Sequence, residues 1–516
     1  MRAGAAIYLR GELPDGMPLV GTRADGPGLG VRGRDAACVN CHQRSGLGAL
    51  EGNVVVPPIA GRYLFAGPGA GTADLPYTPT ARLNRRAYTE TSFLRALREG
   101  KDADDRSLGV LMPRFRIDAA ATKDLIAYLD TLEPEHVPGV DPSVLHFATI
   151  ITPDADPDQA RAMLGVLRHF FAQKNDFPLS PSPRARFGGL GYYTKNMYRT
   201  NRRWQLHVWS LHGAAGTWGA QLDADLAREP VMAVISGLGR NVWQPVHDFC
   251  ERRKVPCLFP NVDVPVAARG DFYSLYLSDG VLLEAGLIAD AIAAHHDVHR
   301  VLEIYRRGDS GEQASAAAER RLRRRDPEAR VERLGLEPSA DLAAALAHAP
   351  PADAWILWLR SADLARLGSP VRAPSRVFVS GLLGGLERAP LPESWRSRVR
   401  LAYPVDLPED RRVRLDFPLG WFRFQRIPVV AERVQVNTYL ACGILSETLA
   451  DLSDNLQRDY LVEVLEGMLE HRFLTGYYPR LTLAPGESFA SRGGYIVRFV
   501  GDQGSRVVAD DRWTVP

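Results

Sequence analysis

Apolar positions follow two different patterns along this chain, and the change falls near residue 140. In the first part they recur at helical spacing. Ile7, Tyr8 and Leu9 lie in a short amphipathic stretch between Gly4 and Gly11. Phe93, Leu94 and Leu97 share one face of a helix over Thr91–Arg98 that Gly100 stops, and Leu125, Ile126, Tyr128, Leu129 and Leu132 share one face of a helix over Ala119–Leu132 that Pro134 ends. In the second part, short apolar runs alternate with helical stretches. Val144–Thr152, Gln205–Ser210, Val231–Ser236 and Pro256–Pro260 read as strands, separated by helices over Asp158–Ala172, Thr217–Ala227 and Val242–Arg253. The alternation recurs: a helix over Gly280–His295, a strand over Val301–Tyr305, a helix over Glu312–Arg325, then strands over Ala329–Leu334, Ala354–Leu359 and Arg376–Ser380. A long helix near Asn437–Leu452 and a closing hairpin, Gly494–Val500 with Ser505–Ala509, complete the pattern.

Such alternation argues for parallel sheets with helices on both faces, and two successive α/β units imply two lobes with a cleft at the carboxyl ends of their strands. The polar, Pro-rich run Glu133–Pro142 reads as a stiff linker. The expected architecture is therefore multidomain: an all-α domain over 1–135, a linker over 136–142 and a two-lobed α/β domain over 143–516. At 516 residues the chain is too long for one core. The segment Asp176–Arg203, rich in Pro, Gly, Tyr and Arg, reads as an insertion that caps the cleft or docks the first domain.

Composition narrows the function by exclusion. Lys and Arg number 63 against 61 Asp and Glu, which argues against nucleic acid as a partner. Residues 1–140 carry 17 basic and 16 acidic side chains, so no strong global field steers a partner to them; Asp102, Asp104 and Asp105 lie close to Arg106, Arg114 and Arg116 as a local solvated patch. No apolar run approaches the roughly 18 residues needed to span a bilayer. Of five cysteines, Cys250 and Cys257 are close enough in sequence to pair, and buried free thiols are the equal alternative.

The chemistry concentrates at Cys38-Val39-Asn40-Cys41-His42, a C-x-x-C-H run. Residues three apart share a helical face, so both thiols reach the two vinyl groups of one porphyrin, and the adjacent histidine is held under the iron. A half zinc site and a redox disulfide are the alternatives. The first lacks a second ligand pair at suitable spacing, and the second lacks its strand–helix context because the flanks are rich in glycine. A proximal histidine needs an acceptor for its other ring N–H, and a carbonyl of the Pro57-Pro58 turn is the candidate. No second C-x-x-C-H exists, which ranks a haem enzyme such as a peroxidase low.

The order of these parts resembles a class I monohaem cytochrome c: a Gly-x-x-Ile-Tyr helix, Cys38, Cys41 and His42, a Pro-rich turn, Met112-Pro113 and a last helix Asp124-Leu125-Ile126-Ala127-Tyr128-Leu129. The resemblance implies one covalent haem c with Met112 as distal ligand opposite His42; His136 and Met17 are the rivals. A neutral thioether favours ferrous iron and leaves no open position, which points to electron transfer. Haem c is attached outside the cytoplasmic membrane, so the expectation is a periplasmic mature form whose export signal has been removed. The partner implied is another redox protein, a quinoprotein dehydrogenase or a second cytochrome.

The region from about 143 to 516 resembles a type I periplasmic binding protein of the branched-chain amino-acid class, on Pro230–Gly237, Arg253–Pro260, Phe272–Gly286 and Gly493–Arg498. Candidate cleft residues at strand ends are Gly237, Asn261, Asp263, Asp279, Tyr305 and Arg360. Where that family holds an amino acid with small Ser, Ala or Thr residues, this chain has Asn261-Val262-Asp263; an acidic side chain repels a carboxylate, so an ordinary amino acid is not the expected ligand. The leading expectation is a periplasmic electron carrier, not an enzyme, whose binding-protein-like module docks a partner or holds a small molecule. The alternative is a solute-binding or sensor protein for uptake or signalling in which haem is the redox sensor.

Overall fold

The structure is a computed structural model that describes residues 1–24, 29–51, 54–66, 85–132, 136–176, 202–370, 372–452, 455–501, 504 and 506–516. It forms two compact units. The first holds Met1–Val140 with Glu447–Val464, and the second holds Asp141–Pro178, Arg202–Ser446 and Leu465–Pro516. Residues 447–464, which the sequence pattern places with the second region, thus belong with the first. Most of the predicted insertion Asp176–Arg203 lies outside the described residues, as does Pro134.

In the first unit the Arg2–Arg10 helix crosses the Ala119–Leu129 helix at Gly4, where an added Cβ would lie 2.0 Å from the Asp124 carbonyl oxygen. Only glycine lets the two backbones approach this closely. Tyr8 and Tyr128 then meet with ring centroids 5.3 Å apart. Thr89 caps the Glu90–Glu99 helix by accepting from Ser92 N, and Gly100 ends it in the left-handed conformation. Ile7, Tyr8, Leu19, Phe93, Leu97, Phe115, Leu125 and Leu129 form the core.

The all-α expectation for this unit is corrected by two small sheets. Strand β1 (Val20–Thr22) pairs antiparallel with β2 (Gly30–Arg32), and β3 (Ala49–Glu51) pairs with β4 (Val54–Val56) as a hairpin. A fifth strand, β5 (Arg114–Arg116), lies on the other side of β1. Each is three residues long, too short for a period of two to show in the sequence.

The second unit holds two sheets. In the first lobe β6 (Val144–Ile151), β7 (Arg203–Ser210), β8 (Ala233–Ile235), β9 (Leu238–Gly239), β10 (Cys257–Leu258), β11 (Asn261–Val262) and β12 (Ser274–Ser278) pair in parallel, with β11, β9, β6, β8, β10, β12 as the main order and β7 on β6. In the second lobe β13 (Arg300–Arg306), β14 (Arg330–Leu336), β15 (Ala354–Trp358), β16 (Arg376–Ser380) and β17 (Val399–Tyr403) are also parallel, ordered β14, β13, β15, β16, β17. All five residues of β15 are buried, as expected of a strand covered on both faces.

The chain crosses between the lobes three times among the described residues. It leaves β12 for the Gly280–Ala293 helix, whose Val281, Ala285, Ile288 and Ile292 pack into the second lobe's core. It returns after β17 through the Pro408–Phe424, Glu432–Leu452 and Arg458–Leu469 helices to β18 (Phe489–Ser491), which pairs with β12. It crosses back from Ser491 to β19 (Tyr495–Val500), antiparallel to β17 and to β20 (Arg506–Ala509). Cys250, Cys257 and Cys442 are buried and none is in a disulfide, so the buried-thiol alternative describes Cys250 and Cys257.

Candidate functional site

Two places gather chemistry-bearing side chains. The first is a crevice in the first unit. Cys38 stands at the head of a single helical turn, Val39–His42, and Cys41 and His42 lie on it. Cys38, Cys41, His42 and Met112 all line one cavity whose walls include Tyr8, Ile59, Phe93, Leu97, Leu125 and Leu129. Its empty volume is about 710 Å³ with the open solvent at its mouth included.

His42 is buried, and its Nδ1 lies 3.0 Å from the Pro57 carbonyl oxygen. That oxygen can only accept, so Nδ1 carries the proton and Nε2 keeps its lone pair. Burial pushes the imidazole down to about 4, partly opposed by the Pro57 contact, so the ring is neutral and able to ligate. Pro58 is buried beside it and supports the turn without a bond of its own to His42. Desolvation pushes the Cys38 thiol up to about 12, the reverse of what activates a redox cysteine pair. Among the described residues no group of three or more His, Cys, Asp or Glu is placed to hold a metal ion, so a zinc site has no ligand set there.

These features fit a covalently held haem: two thiols three residues apart, a neutral imidazole with its tautomer fixed, a thioether, and apolar walls. The rivals to Met112 do not line the crevice. Met17 is 56% exposed, and His136 is exposed in the connecting stretch.

The second place is the polar face between the two lobes. Arg360, which follows β15 in the second lobe, donates from Nη2 to Asp263 Oδ2 of the first lobe at 2.8 Å and to Asp309 Oδ1 at 2.6 Å. Ser310 Oγ lies 3.0 Å from the same Asp263 oxygen and 2.8 Å from Asn241 Oδ1, and its single O–H donates to one of them. Burial works against the guanidinium charge, but the Asp263 and Asp309 carboxylates more than offset it and hold Arg360 above its ordinary range.

Deeper in, Asn261 N donates to the Gly237 carbonyl at 2.7 Å, and Asn261 Nδ2 donates to Ser236 Oγ at 3.1 Å. Ser236 Oγ and Thr438 Oγ1 are 2.8 Å apart, and Asn437 Nδ2 donates to Asn261 Oδ1 at 3.2 Å. Asn437 Oδ1 is buried without a partner. Asp279 stands at the first crossing, where burial pushes its carboxyl up to about 7.

The expected cleft residues therefore divide. Asp263 and Arg360 meet across the lobes, and Gly237 and Asn261 adjoin in the first lobe. Asp279 marks the crossing, while Tyr305 lies in the second lobe's core with the Arg333 guanidinium 5.0 Å from its ring centre. Ser236, Asn241, Asp309, Ser310, Asn437 and Thr438 were missed. Ser236 and Asp309 stand next to strand ends, which is a usable signal; Asn437 and Thr438 lie in a long helix whose pattern reads only as core.

No protein-family model and no curated protein matches the chain. Solved structures match its fold. A branched chain amino acid ABC transporter structure from Thermus thermophilus with bound valine matches with a TM-score of 0.51 at 11% identity, covering 72% of this chain and 97% of that one. A fatty acid ABC transporter substrate-binding protein from Thermomonospora curvata matches at 0.50 and 15% identity, covering 74% and 95%. A substrate-binding periplasmic protein from Ralstonia solanacearum gives 0.50 and 11%, covering 71% and 100%. The two-lobed α/β architecture is thus that of periplasmic-binding-protein-like folds. About a quarter of the chain lies outside each match.

Proposed function

We propose that this chain is an extracytoplasmic solute-binding protein that carries one haem c, so that a small molecule between the lobes and the redox state of the crevice act in one polypeptide. The observation that carries the reading is the presence, in one chain with a two-lobed binding fold, of a crevice lined by Cys38, Cys41, His42 and Met112. Cys38 and Cys41 would hold the group covalently, and His42 and Met112 would ligate its iron. When bound, haem supplies one-electron chemistry. The chain's own part is to fix the tautomer of His42 through Pro57, to present a soft thioether, and to keep water out with apolar walls. No helix among the described residues is long and apolar enough to cross a membrane.

The ligand between the lobes is small and polar, and it is not an ordinary amino acid bound through its carboxylate, because Asp263 and Asp309 give this face two carboxylates for the one Arg360 guanidinium. The role is binding rather than catalysis. Calorimetry on the matured protein against acids, amines, alcohols and aldehydes tests the binding half. A ligand that shifts the haem potential must bind with an affinity that shifts equally with redox state; no binding from any class would remove this reading. A mass spectrum of the natively matured chain tests the haem half, and the unmodified mass would end it.

A second reading is a one-electron carrier that docks a quinoprotein dehydrogenase or another cytochrome. What favours it is that His42 and Met112 both line the crevice and would both be taken up in holding the iron. Stopped-flow reduction by candidate donors separates the two: fast reduction that ignores cleft ligands supports the carrier.

A further inference from the structure

Glu463 lies 418 residues after Ser45, yet the two are bonded. Ser45 N donates to Glu463 Oε1 at 2.9 Å, and Ser45 Oγ donates to Oε2 at 2.5 Å. Ser45 stands three residues beyond His42, in the loop that supports the crevice: Gly48 N donates to the His42 carbonyl at 3.2 Å, and Ile59 N donates to the Gly46 carbonyl at 2.7 Å. Ser45 Oγ also accepts from Leu47 N. Just before the helix that carries Glu463, Asn455 Oδ1 accepts from Arg62 Nη2 at 2.7 Å. A late segment of the chain thus holds the loop after the histidine, and it does so with a carboxylate.

We propose that Glu463 is a positioning residue of the crevice and its proton-exchanging group, so that gain of one electron there raises the proton affinity of the Glu463 carboxylate and is accompanied by partial uptake of a solvent proton on it. The proposal rests on the haem reading above. The electron comes from a one-electron donor. The carboxylate and a proton become a carboxylic acid, and oxidation returns both.

The physical reason is Coulombic. No basic side chain is paired with Glu463 among the described residues. The titratable groups that interact with it are Asp459 on its own helix and Tyr8 on the first helix, and the Arg44 backbone N–H donates to it beside Ser45; Cys38 and Tyr128 face Tyr8. Desolvation already pushes the carboxyl up to about 8, with Asp459 adding and the Ser45 donors opposing. Removing a unit of positive charge from the neighbouring crevice makes the anion less favourable still, and proton affinity rises.

The test is a redox titration of the natively matured protein across pH, with its mass and visible spectrum recorded first. The expected result is a midpoint potential that falls as pH rises, corresponding to a proton affinity about 10-fold higher in the reduced state, a typical size for coupled sites. Glu463→Gln keeps an acceptor for Ser45 N and should be flat over the same pH range, near the wild-type value at low pH. A redox-difference infrared spectrum should show a protonated carboxyl band in wild type that Glu463→Gln lacks. Ser45→Ala, which removes a donor that favours the anion, should move the pH dependence upward. A haem-bearing wild type with a pH-independent potential, or the same slope in Glu463→Gln, overturns the inference and leaves the haem reading standing. A chain that carries no macrocycle overturns both.

Discussion

Arg360 of the second lobe and Asp263 of the first are joined by a 2.8 Å ion pair, and Asp309 holds the other side of the same guanidinium. The pair ties the two lobes to each other through the chain's own side chains, before any ligand is considered. Both partners are mostly buried, with side-chain exposures of 27% and 17%. Arg360→Ala should therefore lower stability by roughly 2 kcal/mol, because two carboxylates lose their cation. It should also open the lobes. Small-angle scattering is expected to show a larger radius of gyration for the variant; unchanged scattering would mean that the lobes are held together by other contacts.

Gly237 lies where a side chain cannot fit. An added Cβ would be 2.7 Å from the Trp243 ring and 3.0 Å from the Ile150 carbonyl oxygen. Trp243 is fully buried and has no room to withdraw. Gly237→Ala should cost roughly 1–3 kcal/mol as overpacking, read as a lower thermal midpoint. If the variant were as stable as wild type, the glycine would be spared for ligand access rather than for packing.

The alternating elements of the second unit were legible because their apolar runs are buried on both faces, as in Ala354–Trp358, and because turns separate them cleanly. The two-residue strands Leu238–Gly239 and Asn261–Val262 were not legible, since no periodicity exists at that length. The Pro408–Phe424 helix was hidden by its density of arginine and by Pro418 inside it. In the first unit, the grouping of Cys38, Cys41 and His42 and the Pro57 acceptor of His42 could be read because they are local in sequence. Glu463 could not, because its partner is 418 residues away and a single glutamate on an amphipathic helix looks like solvated surface. The pairing of Asp263 with Arg360 was hidden for the same reason: each was singled out, but nothing in one sequence joins them.

Glu284 gives a pH dependence whose sign can be stated. Its carboxylate, on the Gly280–Ala293 helix, accepts from Ser380 Oγ and from Leu382 N, the latter at 2.8 Å. Burial pushes it from 4.5 up to about 8, more than those donors pull it down. The folded chain therefore holds a proton that the unfolded chain releases between those values. The stability this contributes is present below about pH 4.5 and is lost as pH rises through 8. Glu284→Gln has no proton to lose. Its thermal midpoint relative to wild type should improve steadily from pH 5 to 8, and a difference that stays constant over that range would place the carboxylate in an ionised state.

Met112 offers the sharpest test of the crevice. It lines the same cavity as His42, and its carbonyl is held by the Arg114 guanidinium, so its backbone is fixed even when its side chain is changed. Truncating the side chain removes a soft, neutral donor that favours the reduced state. In natively matured Met112→Ala the mass should still include the macrocycle, since Cys38 and Cys41 are untouched. The visible spectrum of the reduced form should change, and the midpoint potential should fall. Met17→Ala and His136→Ala should leave both unchanged, because neither residue reaches the cavity. A Met112→Ala spectrum that matched wild type would take the thioether out of the ligand set and leave the position opposite His42 to another group.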